Sequence, residues 1–241
     1  MAWNRLKLAL SNKMSKTLKK ETQTSDLVVA EANTIAIPNE DLTGDFDRSD
    51  ILIPSIRQVQ KTGELADLFQ PGSWVLNQEE LLSNGSDPVN IIVLKFRKYF
   101  IENIEFGSDE TPRQADTLQE VIDMGGTTVW GDDGEKPSFV AMGEATVLVE
   151  GKNEAIFPLV FTDGTRYAIA RWTMRNTAFK RAGRKIITEA QMGLKDGLQH
   201  GAWKLATAKA KSGSNTYFVP VLSLEGRNSE ELAAWADSHM G

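Results

Sequence analysis

The apolar residues of this chain come in short runs rich in β-branched and aromatic side chains, and Gly, Pro, Asn or Asp closes off each run. Such punctuated runs read as strands and turns, because amphipathic helices need longer stretches with a 3.6-residue period. The runs fall at residues 51–53, 73–76, 89–104, 127–130 and 138–149. The longest, NIIVLKFRKYFIENI, is predicted to be a central strand, long or bent. VWGDDGEKPSFVAM is predicted to be a hairpin, with Asp132, Asp133 and Gly134 as turn residues.

Further on, AIFPLVF is strand-like and Asp163-Gly164 is a turn. From Arg166 the pattern runs as a strand and changes to a helix near Arg175 and Asn176, with Gly183 weakening that helix. A second hairpin is expected from 201–209 and 216–224, and Ser229 ahead of Glu230 and Glu231 reads as the N-cap of a short terminal helix. The predicted class is mainly β with minor α. Residues 1–48, rich in Lys, Thr, Ser, Asn and Asp, are expected to be a flexible basic and polar arm, and 49–241 a single domain. Trp3, Leu6, Leu10, Met14 and Leu18 would give the arm a short amphipathic helix on contact with a partner.

Charge is the second constraint. The net charge is −6, but it is unevenly distributed along the chain. Residues 1–20 carry six basic and no acidic side chains, and 21–165 carry nine basic and 27 acidic. Residues 166–211 carry eleven basic and two acidic, and the last thirty carry one and four. An asymmetry of this kind predicts a surface that faces a polyanion. With no cysteine, thiolate metal sites, disulfides and a cysteine nucleophile are excluded, and a reducing, cytoplasmic compartment is expected. No continuous apolar run in the first twenty residues suits a signal or a membrane span, so no membrane partner is expected.

The basic segment interleaves Arg166, Arg171, Arg175, Lys180, Arg181, Arg184 and Lys185 with Tyr167, Trp172 and Phe179. Cations that follow phosphates and rings that accept bases are the two halves of single-strand recognition. The competing reading is a solvated basic face over a core built from those rings. A second candidate surface is residues 95–100, where alternation puts Lys95, Arg97 and Tyr99 on one face and Phe96, Lys98 and Phe100 on the other. A third is Trp203-Lys204 with Lys209 and Lys211.

Catalytic signals are thin. His200 and His239 lack a metal-ligand spacing, and no P-loop, Gly-x-Gly-x-x-Gly or Gly-x-Ser-x-Gly motif occurs. Asp41, Asp45, Asp47 and Asp50 lack the central glycine and closing glutamate of a calcium loop. A non-enzymatic binder without a cofactor or metal is expected.

Five elements together resemble the OB-fold single-stranded DNA-binding proteins of tailed bacteriophages. They are Ile-Pro-x-Ile-x-x-x-Gln at residues 53–60, Pro-Gly and a β-branched strand at 71–75, the long strand at 91–99, the basic-aromatic segment at 166–185 and Tyr-Phe-Val-Pro at 217–220. The resemblance implies a five-stranded barrel with an inserted helix, extra hairpins and an N-terminal arm, serving DNA replication, recombination or repair. Its partner would be single-stranded DNA, with RNA as the alternative, and replication or recombination proteins and self-association are left open. Such proteins commonly end in a strongly acidic tail, whereas residues 229–241 here carry Glu230, Glu231 and Asp237. Two other readings stay open: a virion-associated or protein-docking protein, and a metal-dependent nuclease or strand-annealing protein.

Overall fold

The long apolar run forms the axis of the sheet. It is strand β4 (Val89–Glu102), and its neighbours are β6 (Phe139–Gly151) on one side and β9 (Gly201–Ser212) on the other. The computed structural model describes residues 52–105 and 107–240, so the expected N-terminal arm lies outside the described residues. The protein is mainly β, at 41% strand against 21% helix, and its sheet curls into a half-barrel. Ten strands take part: β1 (Ser55–Gln58), β2 (Trp74–Leu76), β3 (Glu80–Ser83), β4, β5 (Gln114–Ala115), β6, β7 (Leu159–Val160), β8 (Arg166–Arg175), β9 and β10 (Asn215–Arg227). Their order is β10-β9-β4-β6-β8-β1-β2-β3, with β5 on β4 and β7 on β8. Among the described residues every pairing is antiparallel except that of β1 with β8.

Alternation sorts the side chains. Val89, Ile91 and Val93 of β4, Ala145, Val147 and Val149 of β6, and Ala168, Ala170, Trp172 and Met174 of β8 fill the concave face. Ile92, Leu94, Leu148 and Tyr167 point the other way and are covered by Leu232 and Ala236 of the terminal helix α4 (Glu230–Met240). A bulge between Val93 and Lys95 then breaks the alternation, since Val93 opposes Val147 while Lys95 opposes the adjacent Thr146. Leu94 is the extra residue, and the slip sends Lys95, Arg97 and Tyr99 outward while Phe96 joins the concave core. Without it those two cations would face the core.

Side chains, not strand pairing, tie the two ends of the curl together. The Gln60 side-chain amide donates to the Phe218 carbonyl and accepts from the Phe218 amide, both at 3.1 Å, so one glutamine satisfies a residue of the β10 edge in the way a paired strand would. Gln58 donates to the Thr207 hydroxyl at 2.9 Å, and Thr207 donates to the Gly72 carbonyl at 2.7 Å. Gly72 has φ 99°, and a Cβ there would lie 2.9 Å from the Phe218 ring.

After β8 the chain turns at Asn176 (φ 51°) into a five-residue π-helical turn, Phe179–Gly183, which runs on into α3 (Arg184–Met192). The predicted weak point at Gly183 is thus the end of the π turn. Phe179, Ala182 and Ile186 from this segment pack into the concave core. The predicted β9–β10 hairpin and the Ser229 cap are present, Ser229 Oγ accepting from the Leu232 amide at 3.4 Å. Residues 127–130 are not a strand, and the hairpin expected around Gly134 is a loop. The Thr127 carbonyl accepts from the Phe139 amide at 2.9 Å and its amide donates to Ser138 Oγ at 2.8 Å, which closes the stem and leaves Val129 and Trp130 outside the sheet. The short helices α1 (Leu65–Leu68) and α2 (Leu118–Asp123) were not expected. Among the described residues no helix is long and apolar enough to cross a membrane.

Candidate functional site

Two hollows meet at the turn that joins β8 to α3. The first, about 670 Å³, opens between the C-terminal half of β8, β1 and the edge of β10, and its wall includes Arg57, Arg171, Arg175, Tyr217 and Phe218. The second, about 500 Å³, lies on the other side of the turn and is lined by Trp130, Lys136, Phe139, Lys180 and Arg184. Asn176 and Thr177 line both, so the two hollows adjoin at this turn and are together termed the groove. Asn176 in the left-handed region turns the chain sharply here and places the cations of β8 and those of the following helix along one path.

The charge of this groove is its defining property. Arg57, Arg171, Arg175, Lys180, Arg184 and Lys136 are all exposed, and among the described residues no carboxylate lines either hollow. Among the described residues none of the six belongs to an ion pair. In a chain of net charge −6 a lining of six cations and no acid is a strong local exception. Arg175 is held by the Asn103 side-chain oxygen at 3.1 Å, and Asn103 in turn donates to the Pro137 carbonyl at 3.3 Å, so the two hollows share a fixed wall. The floor of the first hollow includes Trp74 and Trp172, packed edge to face with ring centroids 5.8 Å apart.

Of the residues singled out in the sequence, Arg171, Arg175, Lys180 and Arg184 are brought together in this groove. Arg181 is exposed on the same helical segment but lines neither hollow. Four others are engaged elsewhere: Arg97 with Asp116 at 3.0 Å, Arg166 with Glu154 at 3.1 Å, Lys185 with Glu189 along α3, and Lys204 with Glu225 at 3.7 Å. Lys95, Lys98, Lys209 and Lys211 line neither hollow.

The aromatic half of the expectation is corrected. Tyr167, Trp172 and Trp203 are 9%, 3% and 1% exposed, so none presents a ring face for a base. Tyr167 sits under α4 in edge-to-face contact with Phe161, and burial, then Glu150 and Asp163, push its hydroxyl up to about 12. Tyr99 is buried beneath Arg97, whose guanidinium lies 4.9 Å above its ring centre. Burial, and then Glu144, raise its pKa, against the opposing pull of Arg97 and Arg171.

The groove also contains residues that sequence reasoning missed. Arg57 lies in an element noted only for its resemblance, Tyr217 in a strand of the expected second hairpin, and Trp130 and Lys136 in the loop expected to be a hairpin. Trp130 is 65% exposed. A lone lysine and a lone tryptophan next to three acids carry no local signal of a site, and only the fold sets them opposite α3. Among the described residues no group of three or more metal-ligating side chains occurs. The chain matches no protein-family model, no curated protein and no solved structure.

Proposed function

We propose that this protein binds single-stranded nucleic acid, with DNA as the favoured strand, along the groove that runs from Arg57 past Asn176 to Lys136. The observation that carries this reading is the lining of six exposed cations that, among the described residues, have no ion-pair partner and no carboxylate beside them. Cations without partners lose no ion pair when a phosphate arrives, and each phosphate they neutralise releases counterions. The acidic remainder of the chain repels a polyanion elsewhere on the surface and so favours one path.

The reading is of a non-enzymatic binder that acts in the cytoplasm during phage-type replication, recombination or repair, in keeping with the resemblance of the sequence. It takes the curled sheet as an elaborated OB-type barrel, with the β1 end drawn to β9 by Gln58 and to β10 by Gln60, and the β8–α3 connection as the inserted helix. Base contacts come from groove residues and not from the buried rings of Tyr167 and Trp172.

Fluorescence anisotropy with a labelled oligo-dT tests the path. Arg175→Ala and Lys180→Ala each remove one charge-assisted phosphate contact and are expected to weaken binding by about 1.5–3 kcal/mol. Lys204→Ala, outside the groove and paired with Glu225, is the control and is expected to leave binding unchanged. Equal effects at all three positions would assign the attraction to overall charge and not to the groove.

A further inference from the structure

We infer that Trp130 is a base-stacking position at the α3 end of the groove, so that the ligand must present unpaired bases and not merely a chain of negative charges. The inference rests on the single-strand reading above and deepens it by separating nucleic acid from other polyanions.

Among the described tryptophans Trp130 stands apart. Trp74, Trp172 and Trp203 are 1%, 3% and 1% exposed and Trp235 is half-buried against Phe161, while Trp130 is 65% exposed beside a cation-lined hollow. A single exposed ring is not by itself a site, but an exposed indole that lines a cation-rich hollow offers a flat apolar face beside the charges that would hold phosphates. The loop that carries it is built to hold its shape. Ser138 and Phe139 clamp Thr127, Asn103 binds both the Ser138 carbonyl through its amide and the Pro137 carbonyl through its side chain, and Gly131 and Glu135 close a turn at 2.9 Å. A loop backbone held in advance gives up little freedom when a flat partner stacks on the ring it carries.

The charges around the ring choose which part of a nucleotide it meets. Asp132, Asp133 and Glu135 follow Trp130 directly in the loop and disfavour a phosphate there, whereas Lys136, Lys180 and Arg184 line the same hollow. A strand that lays its phosphates on those three cations turns its bases toward the indole. Base–aromatic stacking is indifferent to base identity, so the position adds affinity without sequence preference.

The experiment measures full-length protein, Trp130→Ala and Trp130→Phe against oligo-dT and against a base-free deoxyribose-phosphate strand of equal length. Trp130 is on the surface, so both variants are expected to fold. Stacking predicts that Trp130→Ala weakens oligo-dT binding by about 5- to 150-fold and that Trp130→Phe restores most of it. The base-free strand is expected to bind the unaltered protein and Trp130→Ala alike, and the quenching of indole emission by oligo-dT is expected to be smaller in Trp130→Phe than in the unaltered protein. If Trp130→Ala affects both strands equally, or neither, the inference is overturned while the phosphate-binding groove stands. If the unaltered protein binds neither strand at low salt, the single-strand reading itself fails and this inference falls with it.

Discussion

Arg171 and Trp172 are adjacent in the sequence and point to opposite sides of β8, and although both line the first hollow, Arg171 is exposed while Trp172 is buried in its floor as part of the core. Adjacent basic and aromatic residues therefore do not share a face in a strand, and the alternation that exposes Arg171, Thr173 and Arg175 buries Trp172 and Met174. The cations of the site were legible for this reason, and the burial of Trp172 was implicit in the same pattern. Tyr167 lies on the outer face, but α4 covers it from more than sixty residues away, and no local signal shows that. At the same scale, Gly183 and Gly143 receive the Phe179 ring, because a Cβ on either would come within 2.7 or 3.1 Å of it. Gly183→Ala is expected to cost about 1–3 kcal/mol through overpacking, read from urea denaturation midpoints, and an unchanged midpoint would show that the ring has room to shift. The Arg113 side chain and amide bind Glu102 and hold its carboxyl at about 2, below its ordinary 4.5. Since the folded pKa is the lower one, this contribution is present above the ordinary pKa and is lost as pH falls from about 4.5 toward 2. Denaturation of Glu102→Gln is expected to show a shallower acid dependence than the unaltered protein over that window, and parallel curves would contradict the pairing.

At the scale of elements, the long strands were legible because their runs of Ile, Val and Phe are bounded by turn residues, and β4, β6, β8 and the β9–β10 hairpin fall close to the expected places. The loop at 127–138 was misread because Thr-Thr-Val-Trp has strand propensity, yet Ser138 and Phe139 claim the Thr127 backbone and no neighbouring strand is left for the rest. Helix α2 had a readable signal that was passed over, a capping box in which Thr117 accepts from the Glu120 amide at 3.2 Å and the Glu120 carboxylate accepts from the Asp116 amide at 2.9 Å. The closure of the curl is a side-chain affair and had none. Gln60→Ala removes both bonds to Phe218 and is expected to speed hydrogen exchange at the Phe218 amide, with a stability cost of about 1–3 kcal/mol. Exchange at Phe218 as slow as in the unaltered protein would mean that β10 is held at this edge by something other than Gln60.

For the molecule as a unit, the decisive feature is where its charge is missing. Thirty-three acidic residues outnumber the basic ones, and yet among the described residues none lines the groove. The basic segment at 166–211 announced a polyanion-facing surface, but the sequence could not show that Arg166, Lys185 and Lys204 are neutralised by neighbours while Arg171, Arg175, Lys180 and Arg184 are not. Nor could it show that Arg57 and Lys136, some eighty residues apart, complete the same path. The salt dependence of oligo-dT binding tests this most directly, because each phosphate held by a groove cation adds roughly 0.7 to the slope of log affinity against log salt. With all six cations engaged the slope is expected to be about −4, and replacing Arg171, Arg175, Lys180 and Arg184 by Ala is expected to reduce it to between about −1 and −2. A flat salt response, or a slope that those four substitutions leave unchanged, would contradict a single strand held in this groove.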